Sequence, residues 1–77
     1  MNILKLKEFD KDHVVYLYQP EGRGEFGEVL FRFADNTAAV TKRAEENSDW
    51  YANKAIFKVK ECVKKKNLPM DFIQAWY

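Results

Sequence analysis

Residues 28–42 read Glu28-Val29-Leu30-Phe31-Arg32-Phe33-Ala34-Asp35-Asn36-Thr37-Ala38-Ala39-Val40-Thr41-Lys42, and the reading of this stretch decides the fold. Val29, Phe31 and Phe33 fall on one side of an extended chain and Glu28 and Arg32 on the other, with Leu30 as the apolar exception. That period of two is the pattern of a half-buried strand. Asp35-Asn36 follows as a tight-turn signal, because both residues tolerate the left-handed backbone that a short hairpin demands. Residues 38–42 then read as a weaker returning strand.

The same period extends towards the N-terminus. Leu4 and Leu6 alternate with Lys5 and Lys7, and Asp10-Lys11-Asp12 makes a polar turn. His13-Val14-Val15-Tyr16-Leu17-Tyr18-Gln19, rich in β-branched and aromatic residues, ends at Pro20. Successive strands joined by short turns predict an antiparallel meander in sequence order.

From Ser48 onward the period is that of a helix. Ser48 is the expected N-cap, and Glu45, Glu46 and Asp49 gather at the positive end of the helix dipole. Lys64, Lys65 and Lys66 stand at the negative end, and Asn67 and Pro69 stop the helix. Tyr51, Ala52, Ala55, Ile56, Val59, Cys62 and Val63 share an arc of about 140°. That arc is expected to meet Leu6, Val29, Phe31 and Phe33. The tail, residues 68–77, is too apolar for a free end. Leu68, Phe72 and Trp76 suit a helix and Phe72, Gln74 and Trp76 suit a strand, with a short packed helical segment preferred. The expected fold is therefore α+β: a single two-layer domain over residues 1–77, with an antiparallel meander of about four strands (β-β-β-β-α) under one amphipathic helix and a short packed C-terminal segment.

Composition narrows the function. Apolar residues make up 47% and charged residues 32% of the 77, which excludes a disordered or collagenous chain. One cysteine excludes a disulfide framework or a four-thiolate zinc site within one chain. Lysines interrupt the first seven residues before a signal peptide's apolar run forms, and no run of about 18 apolar residues occurs. A cytoplasmic location with no membrane contact is expected.

Gly22-Arg23-Gly24-Glu25-Phe26-Gly27-Glu28-Val29 spells the G-x-G-x-x-G-x-V of the protein-kinase glycine loop, with Lys42 standing where the kinase lysine would. The downstream catalytic-loop and metal-binding aspartates are missing, and a dinucleotide site needs this motif to lead into a helix. The stretch also loosely echoes an RNA-binding strand signature, with Glu25 in place of an aromatic. It is read as a hairpin loop whose glycines supply positive φ.

His13 beside Asp10 and Asp12 is half of a general-base arrangement without a nucleophile, and Cys62 lies in the apolar arc of the helix. No catalytic, metal or cofactor site is expected, and the chain is read as not an enzyme. The net charge of +1 conceals an asymmetry: residues 1–53 carry seven basic and ten acidic side chains, residues 54–77 six lysines against Glu61 and Asp71. Lys54, Lys58 and Lys65 along one helix flank are the candidate anion or nucleic-acid contacts.

Aromatics reach 16%, more than a small core needs. Trp50 and Phe57, seven apart, lie nearly opposite the core arc among Asn53, Lys60, Glu61 and Lys64. In the strand from His13, either Val15 and Leu17 or Tyr16 and Tyr18 must face outward, near Leu30 and Arg32. Three accounts follow. Phe72 or Trp76 folds back over Trp50 and Phe57; or the helix back or outer sheet face is a homodimer or partner interface; or Tyr16 and Tyr18 with Lys5, Lys7 and Arg32 stack single-stranded nucleic acid. The expected interaction surface comprises Trp50, Phe57, Tyr16, Tyr18, Arg32 and Trp76. The expected function is a non-catalytic protein-interaction module or small homo-oligomer, with nucleic-acid binding through the lysine flank or the Tyr/Arg face as the alternative.

Overall fold

The computed structural model describes residues 1–44 and 49–75. In chain order the elements are β1 (Asn2–Phe9), β2 (His13–Pro20), β3 (Gly27–Arg32), β4 (Thr37–Lys42), α1 (Asp49–Lys64) and β5 (Asp71–Gln74). They form one five-stranded sheet in the order β4-β3-β2-β1-β5, antiparallel throughout, with α1 packed on one face. The α+β meander under a helix thus matches the sequence reading, with a fifth strand added. Ser48, Glu45, Glu46 and Trp76 lie outside the described residues.

Turn chemistry sets the hairpins. At the first, the Asp10 carboxylate accepts the backbone N–H of Asp12 and of His13 at 2.8 and 3.0 Å. At the third, Asn36 takes the left-handed conformation (φ 54°), the role its side chain suits. Residues 21–26 connect β2 to β3, with Gly22 and Gly24 at φ 67° and 80° and Gly27 already in β3.

Register brings the apolar positions onto one face. Leu4 lies opposite Tyr18 and Phe72, Leu6 opposite Tyr16, Tyr16 opposite Val29, and Val14 opposite Phe31. The helix lays Ala52, Ala55, Val59 and Cys62 onto this face, with Tyr51, Ile56 and Val63 half-buried at its margins, so the arc read from the sequence is the packed one. Small residues at 52 and 55 let the helix approach closely. Burial of large side chains such as Leu4 and Tyr16, at about 1.5–3 kcal/mol each, drives the assembly. Gly27 has no room for a side chain: a Cβ there would come within 2.3 Å of the Tyr18 ring.

The helix ends in a Schellman arrangement. Lys66 is left-handed (φ 56°), its N–H donates to Val63 O, and the N–H of Asn67 donates to Cys62 O. The tail then departs from the preferred helical reading. Residues 71–74 form a strand paired with β1, because the chain reaches the open edge of β1 just after Pro69 and every second residue finds a partner there. Phe72 turns inward, edge-on to Tyr16 with ring centroids 5.9 Å apart. Gln74, polar in sequence, is also inside. The amide of buried Asn2 donates to Gln74 Oε1 (3.1 Å) and to Tyr51 O (3.0 Å), while Gln74 Nε2 donates to Lys54 O (2.8 Å). This amide clamp ties β1 and β5 to the helix. Among the described residues no helix is long and apolar enough to cross a membrane.

Candidate interaction surfaces

The sheet resolves the ambiguity of β2. Tyr16 and Tyr18 face the helix and are 0% and 2% exposed. Tyr16 donates its hydroxyl to Pro69 O at 2.6 Å, and the Tyr18 hydroxyl accepts the Ala44 N–H at 3.2 Å. Burial raises the Tyr16 phenol well above its ordinary range. Neither ring can meet a partner or a base, so the tyrosine face expected from the sequence is replaced by its opposite. Val15, Leu17, Leu30 and Ala39 stand outward instead, bordered by Arg32.

That outer face closes over its own centre. Lys7 on β1 reaches across β2 to Glu28 on β3 at 2.8 Å, and Glu28 also accepts the Thr41 hydroxyl from β4 at 2.7 Å. The strap reaches from β1 to β4 past Leu17, the partner of Glu28, and Val15 on the same face is only 7% exposed. Hydrogen bonds from Lys7 and then Thr41 hold the Glu28 carboxyl below the usual range, and the same contact raises Lys7. Lys5 adds its stem, with Nζ 5.3 Å from the centre of the Phe26 ring.

The back of α1 leaves large apolar side chains partly exposed. Trp50 is 55% and Phe57 65% exposed, on the side of the helix that faces away from the sheet. Phe72, one of the two tail residues expected to cover them, packs on Tyr16 instead. Exposed Lys60 and Lys64 lie beside Phe57 and, with Glu61 and Lys65, line a shallow depression there. Lys54 places Nζ 4.6 Å from the centre of the Trp50 ring.

Comparison with protein families, with characterised sequences and with solved structures finds no match.

The lysine flank has contacts within the chain. Lys58 pairs with Glu61 at 2.8 Å and lies over the Phe72 ring, and Lys65 approaches the same carboxylate at 3.9 Å. Glu61 is held low by Lys58 first and Lys65 next. Two of the three candidate phosphate contacts thus share one anion, and the third stands over an indole.

His13 sits at the rim where β2 begins. Its ring contacts Glu8 at 3.0 Å and Asp10 at 3.5 Å, and the Glu8 hydrogen bond raises its pKa. These contacts are exposed and include no nucleophile. Cys62 is buried, with a thiol pushed up by desolvation, the opposite of an activated cysteine. Among the described residues no group of three or more His, Cys, Asp or Glu side chains is placed to hold a metal ion. In the glycine loop Gln19 donates to Gly24 O, and the Tyr51 hydroxyl donates to Glu21, tying the loop to the helix.

Three features escape a one-dimensional reading. The strap joins residues 7, 28 and 41, and the amide clamp joins residues 2, 51, 54 and 74. An apolar groove of about 320 Å³ opens between Phe9, Phe33, Val63 and Leu68, with Lys66 at its lip. None of the three had a local signal, because each joins residues far apart in the chain.

Proposed function

We propose that the chain is a non-catalytic interaction module of the cytoplasm that presents the back of α1 to a protein partner. Phe57 and Trp50 are the anchors, and Lys60 and Lys64 set the preference for an acidic, apolar segment. The observation that carries this reading is the exposure of Phe57 and Trp50 on a helix whose opposite face is already full. Aromatic residues at the centre of an interface supply most of its binding energy, and cations around them select partners by charge. The pairing of Lys58 with Glu61 and the burial of Tyr16 and Tyr18 favour a protein over nucleic acid as the ligand.

Selection from a helical peptide library tests this. The wild-type chain is expected to enrich peptides with apolar residues at i, i+3 and i+7 flanked by Glu or Asp. Phe57→Ala should weaken their binding about tenfold or more, consistent with loss of an anchor residue. Peptides that bind the Phe57→Ala chain equally well, or that shift the amide resonances of the outer sheet rather than α1, contradict the proposal. So does low-salt binding of an oligonucleotide that displaces them.

A further inference from the structure

A different surface, the apolar groove between the sheet and the end of α1, carries a conclusion that goes beyond the helix-back reading and does not depend on it. The sheet side supplies Phe9 and Phe33, and the end of α1 with the segment after it supplies Val63, Lys66 and Leu68, around about 320 Å³. Phe9 owes its place there to a β-bulge. β1 turns Leu4 and Leu6 to the helix face, and an unbroken ladder would bring Glu8 there next, opposite Val14. The register shifts between Leu6 and Glu8 instead, so Glu8 pairs with outward Val15 and Phe9 with buried Val14. The bulge thus exchanges a carboxylate for an aromatic ring on the helix face, the re-aiming that bulges perform beside functional sites. The ring does not complete the core. Phe9 stays 60% exposed and leans on Phe33 with ring centroids 6.5 Å apart, while Phe33 packs edge-on to buried Phe31 at 5.4 Å.

Lys66 is the one charged residue of the lining. It holds the left-handed position after α1, where glycine would avoid the cost of a side chain. Among the described residues it makes no ion pair. The acidic groups beside Phe9 are engaged elsewhere: Glu8 contacts His13, and the Asp10 carboxylate accepts the N–H groups of Asp12 and His13. Carbonyls at a helix end repel an anion, but here Val63 O and Cys62 O already accept the N–H groups of Lys66 and Asn67. An apolar slot with one cation at its lip is complementary to an apolar molecule with one negative end.

We propose that this groove binds a small monocarboxylate with an apolar body, the class of a medium-chain fatty acid. The chain lies among Phe9, Phe33, Val63 and Leu68, and the carboxylate meets Lys66 at the lip. The volume stands at the small end of ligand pockets, which suits one chain rather than a two-chain lipid. A single lysine matches a single negative charge, and the described lining holds no second cation for a phosphate dianion. One short chain and one exposed ion pair give modest affinity, with a dissociation constant on the order of 0.1–1 mM.

Titration of the folded chain at neutral pH and low salt with octanoate, octanol and octylamine, followed by amide and methyl resonances, tests the site. The three probes share a chain and differ in charge. Octanoate should shift Phe9, Phe33, Val63 and Leu68 in one saturable step in the low-millimolar range, and octylamine should bind more weakly. Lys66→Glu keeps the chain wall and reverses the charge at the lip. It should weaken octanoate about fivefold or more and leave octanol within about twofold. Phe9→Ala, which removes a mostly exposed ring, should weaken octanoate and octanol alike by about threefold or more. Should that variant lose its fold, the Lys66→Glu split between octanoate and octanol still decides. Absence of shifts at the groove, or shifts confined to Trp50 and Phe57 on the helix back, overturns the proposal. So does equal binding of octanoate and octylamine, or octanoate binding indifferent to Lys66→Glu.

Discussion

The outer face of the sheet and the back of the helix meet the same difficulty, apolar side chains on the solvent side of a thin two-layer fold, and they resolve it differently. On the sheet, Lys7, Glu28 and Thr41 bridge four strands across the face that carries Leu17 and the nearly buried Val15. On the helix, Trp50 and Phe57 project among lysines and stay more than half exposed. A sheet offers neighbours on both sides of every residue, so long polar side chains can meet over an apolar one. Among the described residues, no strand or second helix flanks α1 on its far side. An outward position is thus part of the fold in one layer and available surface in the other.

That contrast can be broken by substitution. The largest effect is expected from Val15→Asp, which puts a carboxylate at the nearly buried outward position beside Leu30 and Glu8. Chemical denaturation should show a loss of at least about 3 kcal/mol, enough to unfold much of a small domain. If Val15→Asp is tolerated, the outer face is ordinary solvent-exposed surface. Glu28→Gln comes next, with an expected loss of about 1 kcal/mol at neutral pH. Because the Glu28 carboxyl is held low in the folded chain, its contribution is complete above the ordinary carboxylate range and disappears as pH falls through the folded value. The variant should therefore lose less stability than wild type between about pH 5 and pH 3. An unchanged acid limb would show that the strap is decorative. Smallest is Lys66→Gly, which relieves the left-handed backbone at the helix end without touching either face. It should raise stability by about 0.5–1 kcal/mol, read as a higher unfolding midpoint, with peptide binding unchanged.

Much of this fold was legible in one dimension. The alternation of residues 28–34, the Asp35-Asn36 turn and the apolar arc from Tyr51 to Val63 have strong local signals, and each element forms as its pattern predicts. Two places resisted, for physical reasons. β2 is apolar on both sides, so alternation cannot say which side is the core; that depends on pairing, through which Leu4 and Leu6 draw Tyr18 and Tyr16 to the helix face. The tail is too short to separate a period of two from one near four, and Gln74 looks like a solvent residue until Asn2 and the Lys54 carbonyl are placed beside it. Trp50 and Phe57 were legible as a surface pair because helix geometry alone sets them opposite the core arc. The Lys7–Glu28–Thr41 strap was not, since it joins residues that only the assembled sheet brings together.

The central claim, that the outer sheet face belongs to the fold and the helix back does not, is tested most directly by urea unfolding of Val15→Ala and Phe57→Ala side by side. Val15→Ala is predicted to lose about 2 kcal/mol, the cost of a small cavity under well-packed neighbours. Phe57→Ala is predicted to stay within about 0.5 kcal/mol of wild type, since the larger side chain leaves solvent and alanine favours the helix. A loss of about 2 kcal/mol or more at Phe57, with none at Val15, would contradict the account.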